Sequence, residues 1–448
     1  MALLRTWCCS LMAVLLLFGC RKEPAATALP SSLPSYPLRS STDLDTLLAA
    51  IGDTRIVMLG ESTHGTSEYY RWRTAISQRL IAEKGFDAIA VEGEWADSWR
   101  VNQFISGPRR DSAAAVTLLQ QYDRWPTWMW GNYEVASLVT WLNAFNQGRA
   151  EKAGFYGLDV YGIWESLQEL RPLLPASDSL QQYAEAARRC FQPFSADPIG
   201  YASAVANSSA DCRAQVERLH RAAERRYGSA TARSDTAFLI QQNALVAYNA
   251  ERYYTAAASN SALSWNIRDG HMLETLGRLL DRYGPASKII VWAHNTHVGD
   301  ARYTDMAASG TVNLGQLARE AFGPENVFLV GFGSYSGSVI AADAWGAPYR
   351  SMAMPRARRG SWEELLHSQG TGDRILLSRD LRNAGLDKPI GHRAVGVTYN
   401  PASENGNYVP TVIPMRYDAF LYFDHTRPLT PIPVRRRNEP PDTYPSGF

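Results

Sequence analysis

Short apolar runs that stop at charged or imidazole side chains constrain this chain more than any other feature. Ile56 to Leu59 leads into Glu61 and His64, Asp87 to Val91 into Glu92, Gly154 to Leu158 into Asp159, and Lys288 to Ala293 into His294 and His297. A further run, Asn326 to Val330, leads into Gly331. Each has the length of a strand and is bounded by turn or charged residues, and helical periodicity fills the stretches between them. That alternation predicts crossover units and an α/β fold: a mostly parallel central sheet flanked by helices. Ligands of such sheets bind outside the carboxyl ends of the strands, so these carboxylates and imidazoles are aimed at one cleft.

With 448 residues, 45% hydrophobic and 11% aromatic, the chain can fill one large core with an insertion, or two domains. A formal net charge of +1 makes no electrostatic case for nucleic acid, and the run Arg435 to Arg437 is too short to change that. The amino terminus reads as an export signal, with Arg5 as the positive start and Leu11 to Phe18 as an apolar stretch too short to span a membrane. It ends in Leu17-Phe18-Gly19-Cys20, similar to the bacterial lipobox. Residues 1–19 are then a signal peptide, and Cys20 becomes a lipidated amino terminus, each buried methylene adding about 0.8 kcal/mol of anchoring. Plain secretion to the periplasm is the alternative. Arg21, where an aspartate would signal inner-membrane retention, makes the expected address the outer membrane, facing the periplasm. Pro24 to Pro37 reads as a tether, so residues 20–40 are anchor and linker and the folded domain is expected over 41–448.

Tyr69, Trp72, Ile76 and Leu80 recur at helical spacing behind Thr66 or Ser67 as a cap, with Arg73 at the edge of the stripe. Val135, Leu138, Val139, Leu142 and Phe145 mark another helix. Strand signals disappear from about 164 to 263, which predicts a helical insertion, and return in the last third in runs such as Phe420 to Phe423, a β-rich carboxyl-terminal part. The insertion carries Cys190 and Cys212. In an oxidising compartment they are expected to pair, closing a loop for roughly 3 kcal/mol, with two separate buried thiols as the alternative.

Gly60-Glu61-Ser62-Thr63-His64-Gly65 frames a carboxylate and an imidazole with two glycines on a strand-to-helix turn. Near neutral pH an imidazole can take a proton from water while a neighbouring carboxylate holds its tautomer. The simpler possibility is that both residues cap the next helix. Trp292-Ala293-His294-Asn295-Thr296-His297 puts two more imidazoles at another strand exit. The spacing lacks the frame of helical zinc proteases and no cofactor is expected, but a divalent metal, if present, would take His294, His297 and Glu61. Neither Gly60 to Gly65 nor Gly331 to Gly337 has nucleophile-elbow spacing, and Gly331-Phe332-Gly333 with Gly337 departs from a dinucleotide fingerprint. Trp125, Trp128 and Trp130, with Tyr122 and Tyr133, could line a cavity or seal a helix against the sheet. Trp265 to Asp269 reads as rings with a structural charge pair, and His220, His367 and His392 default to surface or core.

The stretches Gly60 to Thr66, Arg73, Gly85-Phe86 into Glu92, Tyr156 to Asp159, Arg268-Asp269, Trp292 to His297 with Asp300, Gly331 to Gly333 with Gly337, and Phe423-Asp424 together resemble the erythromycin esterase family, from about residue 45 to 430. The resemblance implies an α/β hydrolase that opens the macrolactone ester of fourteen-membered macrolides with water and no acyl-enzyme. On matching positions it implies His64 as general base, Glu61 and Glu92 orienting it or the water, and Arg73, His294 and His297 completing a charged cleft. Asp159, Trp125, Trp128 and Arg268 are assigned to substrate contact. The expected partners are a small ester or lactone and, through Cys20, a membrane. The competing class is a non-catalytic envelope lipoprotein whose paired histidines bind a ligand such as haem or a metal.

Overall fold

The computed structural model describes residues 32–194, 197–208, 211–228, 234–382 and 384–434. Its strands are β1 (Tyr36–Pro37), β2 (Ile56–Leu59), β3 (Ala88–Glu94), β4 (Gly154–Asp159), β5 (Ile289–Trp292), β6 (Val327–Ala342), β7 (Tyr349–Met354), β8 (Arg374–Leu377), β9 (Ile390–Arg393), β10 (Tyr408–Thr411) and β11 (Ala419–Thr426). All but β9 and β10 join one sheet, in the order β1-β8-β11-β6-β2-β5-β3-β4 with β7 on β6. The run from β11 to β4 is parallel throughout, and β1, β8 and β7 add antiparallel edges.

Every residue of β2 and β5 is buried, because helices cover both faces. Side chains alternate across the pleat. Val57, Leu59, Ile89, Val91, Ile290 and Trp292 pack on one side with the helices Ser67–Lys84 and Tyr133–Phe145. Ile56, Met58, Ala88, Ala90, Ile289 and Val291 pack on the other with the helix Ser261–Tyr283. Between β4 and β5 the described residues form helices without a strand, with their own core around Tyr161, Phe191, Tyr201 and Leu219. Cys190 and Cys212 form a disulfide there, their Cα atoms 5.8 Å apart.

Three expectations change. Order starts before Ser41: β1 pairs with β8 and Leu33 and Leu38 are buried, so residues 32–40 belong to the fold rather than to a free tether. The signal segment, Cys20 and most of the linker lie outside the described residues. The run ending at Gly331 does not stop there. β6 continues to Ala342 because β11 pairs beside it from Val330 to Gly337, and β7 pairs with the rest. Thr66 occupies the cap position of the helix Ser67–Lys84 but makes no capping bond through its side chain. Its hydroxyl lies against Thr63 instead.

Candidate active site

β5 enters the sheet between β2 and β3, and that insertion assembles the site. In the sequence the strand-end residues run Glu61, Glu92, Asp159, His294; across the sheet they run Glu61, His294, Glu92, Asp159. Helix Ser67–Lys84 contributes Arg73 and helix Ser261–Tyr283 contributes Arg268 and Asp269.

At the β2 end, Glu61 Oε1 lies 3.0 Å from His64 Nδ1, and Arg73 donates to Glu61 Oε2 at 2.7 Å. The carboxylate is therefore an acceptor on both oxygens, which puts the His64 proton on Nδ1. His64 Nε2 is buried and has no hydrogen-bond partner among the described residues. Arg73 is sandwiched between the Tyr70 and Trp292 rings, 4.3 and 4.6 Å from their centroids. Gly65 is required by close approach: a Cβ there would lie 1.9 Å from the Ile340 carbonyl oxygen.

The His294 ring centroid is 4.8 Å from that of His64. Its backbone N–H donates to Glu92 Oε2 at 2.7 Å, and Nδ1 faces the Thr296 hydroxyl at 2.8 Å. Burial, reinforced by the neighbouring His64, pushes the His294 pKa well below the ordinary imidazole value, so this ring is neutral.

The other end of the cluster is ionic. Arg268 donates to Glu92 Oε1 at 2.7 Å and grips both oxygens of Asp159, at 2.9 and 2.7 Å. His297 Nδ1 lies 2.9 Å from Asp269 Oδ1, its Nε2 faces Glu92 Oε1 at 3.3 Å, and its ring stacks on Trp265. Burial works against the His297 charge, but Asp269 and Glu92 outweigh it and lift the pKa to about 9. Burial likewise opposes the Glu92 charge, and His297 with Arg268 overcomes it, holding that carboxyl well below its usual range. The site thus pairs a neutral imidazole, His294, with an imidazolium, His297, only three residues further on.

A narrow cleft of ≈ 50 Å³ reaches this ionic end, lined by Glu92, Asp159, Arg268, Tyr161, Met129 and Trp130. His64, His294 and His297 are not among its lining residues and are buried, at 0–1% exposure. Trp125 and Trp128, expected at the substrate, are instead core residues, packed edge to face at 5.5 Å and buried against the helix and sheet. Trp130 takes the cleft position. Arg268 and Asp269 are not a mutual pair: one turns to the carboxylates and the other to His297. Asp269 is a site residue that spacing alone did not reveal, because its partner lies 28 residues away on another element. The trio His294, His297 and Glu61 does not converge as a ligand set. Glu61 is engaged by His64 and Arg73, and both His297 nitrogens face Asp269, Glu92 and Arg268.

The fold and cleft define an α/β protein with a buried imidazole and carboxylate cluster at the carboxyl ends of its parallel strands. The erythromycin esterase family profile matches residues 81–426, and this chain belongs to that family, an assignment that makes it an esterase. It is similar to erythromycin esterase type II of Escherichia coli, 22% identical over 379 residues, covering 78% of this chain and 86% of the relative. Among solved structures, a protein from Bacillus cereus superposes with a TM-score of 0.75 at 19% identity, over 88% of this chain and 96% of the other. A succinoglycan biosynthesis protein gives 0.72 at 16% identity, over 88% and 95%. A mutant of the erythromycin esterase EreC, described in its open conformation, gives 0.64 at 16% identity, over 88% and 98%.

Proposed function

We propose that this protein hydrolyses an ester or lactone, with a macrolide macrolactone as the candidate substrate, through a water activated by His64. The observation that carries the reading is the pairing of His64 Nδ1 with a carboxylate already fixed by Arg73, which leaves Nε2 as the basic nitrogen facing the cluster. In the proposed step Nε2 takes a proton from water, and the water oxygen bonds to the ester carbonyl carbon. The oxyanion forms in the field of Arg268 and the His297 imidazolium. As the ester C–O bond breaks, His64 returns the proton to the departing alkoxide, giving an alcohol and a carboxylic acid. Glu92 links the two halves, because it binds Arg268 through one oxygen and the His294 backbone through the other.

Pockets that enclose a drug-sized ligand measure about 300–1,000 Å³, so a cleft of ≈ 50 Å³ has room for water but not for a macrolactone. We therefore propose that the cleft wall at Met129 and Trp130 moves aside on binding. A mutant of the related EreC is described in an open conformation, which supports the idea. Residues 1–20 support a place at the cell envelope, with Cys20 as the lipid attachment point.

The test is mass spectrometry of purified protein with erythromycin A and a panel of simpler lactones and esters, looking for the gain of one water. General-base action contributes about 10² to 10⁴ in rate, so His64→Ala should lose at least ~100-fold in kcat while keeping its circular dichroism. Full turnover by folded His64→Ala would remove the base assignment. A wild-type protein that leaves the whole panel intact would remove the substrate class.

A further inference from the structure

A second buried chain of polar groups stands behind the imidazoles, and the proposed chemistry makes no use of it. Glu363, in the helix Trp362–Ser368, lies 2.6 Å from His392 Nδ1 on β9, and His392 Nε2 lies 3.1 Å from the side-chain nitrogen of Asn295. All three are at most 1% exposed. His392 is therefore a core residue with partners on both nitrogens.

Hydrogen-bond directions fix the protons. The Asn295 amide makes a two-way pair with the Phe332 backbone: Nδ2 donates to the carbonyl at 2.6 Å, and Oδ1 accepts the N–H at 3.2 Å. That pair settles which end of the amide is nitrogen, so its other N–H points at His392 and needs an acceptor there. His392 must accept through Nε2 and carry its proton on Nδ1, toward Glu363. Burial holds the His392 pKa below the ordinary value despite Glu363, which agrees with a neutral ring.

Asn295 ties this chain to the catalytic turns. Its backbone N–H donates to the Glu61 carbonyl at 2.8 Å, and its carbonyl accepts from Arg416 at 2.9 Å. It follows His294 in sequence, while Glu61 holds His64. Gly60 lets the amide in, since a Cβ at that position would fall 2.1 Å from Asn295 Oδ1.

We propose that Glu363 and His392 are positioning residues. Their carboxylate–imidazole–amide relay locks the β2 and β5 exits together and so sets the distance between His64 and His294. The proposal rests on the reading of His64 as general base. A displacement of about 1 Å in such an arrangement can cost on the order of 10² in rate.

Two substitutions separate positioning from packing. His392→Gln keeps an acceptor for Asn295 and a donor for Glu363, whereas His392→Phe fills the space with neither. Both would be made in the full chain and assayed with erythromycin A and p-nitrophenyl butyrate. Ring-15N histidine spectra, with the His64 and His294 signals assigned by single His→Asn variants, read the geometry without turnover. His392→Phe should lose about 10- to 100-fold in kcat with KM little changed, and should shift both signals. His392→Gln should stay close to wild type in each. A folded His392→Phe with wild-type kcat and unmoved signals would overturn the proposal, as would a His392→Gln as damaged as the Phe variant. Should His392→Phe fail to fold, Glu363→Gln carries the test through the same signals. If the wild type turns over neither ester, these two substrates are removed and the histidine signals still decide the relay.

Discussion

Arg268→Leu should reveal the cost of the ionic end of the site. The guanidinium is fully buried, and its bonds to Glu92 and Asp159, all between 2.7 and 2.9 Å, compensate two buried carboxylates at once. Leucine, which is shorter and carries no charge, leaves Asp159 without the guanidinium and Glu92 with only His297 beside it. Removing one partner of a buried ion pair costs about 3–5 kcal/mol, and a residue serving two carboxylates belongs at the upper end of that range. The deficit should also depend on pH with a definite sign. In the wild type the Glu92 pKa is depressed, so its stabilisation is present above the unfolded value of about 4.3 and is lost only as pH falls through the lowered native value. In the variant Glu92 keeps His297 but loses Arg268, so its pKa rises from the depressed native value. The penalty is then complete at pH 7 and shrinks toward pH 5 as the carboxyl takes up a proton. Urea unfolding of both proteins at the two pH values gives the difference directly from midpoint and slope. A loss below about 1 kcal/mol at pH 7, or a deficit that grows on acidification, would refute the reasoning that Arg268 compensates both carboxylates.

Other perturbations follow from the same geometry. His297 has its pKa raised to about 9, so it stabilises the fold fully below the unfolded value of about 6.5 and loses that effect as pH rises through 9. The stability advantage of wild type over His297→Gln should therefore be larger near pH 6 than above pH 9, as thermal unfolding across that range would show. Trp128→Ala should cost about 3–5 kcal/mol while leaving kcat near wild type, whereas Trp130→Ala, at the cleft wall, should raise KM; steady-state kinetics beside denaturant unfolding separates the two. Replacing Cys190 and Cys212 with serine opens a link across 22 residues and should remove roughly 3 kcal/mol, measured against the oxidised wild type.

Much of the site was legible because parallel sheets put function at strand ends. The apolar runs at Ile56, Ile89, Phe155, Ile290 and Val327 are all strands, and the polar residues after the first four gather as their positions implied. The Gly60 to Gly65 and Trp292 to His297 blocks were readable because each puts imidazole side chains directly after a strand-like apolar run, where parallel sheets bind ligands. Of the tryptophans around 125–130, Trp125 and Trp128 are core and Trp130 lines the cleft, a division the sequence left open because an aromatic cluster beside a site looks the same whether it faces ligand or core. Asp269, Asn295, Glu363 and His392 were harder still: their partners lie 28, 29 or 97 residues away, beyond any local period.

The sequence alone determined the apolar runs that become β2 to β5 and the start of β6, and which residue types crown the sheet, since those follow from local periodicity and turn chemistry. Only the tertiary structure decided that β5 lies between β2 and β3, and with it that His294 faces His64 rather than standing apart. It also decided the charges. Two imidazoles three residues apart on one turn have opposite pKa shifts because one meets Asp269 and Glu92 while the other is buried beside a second imidazole, and only the folded chain fixes those neighbours.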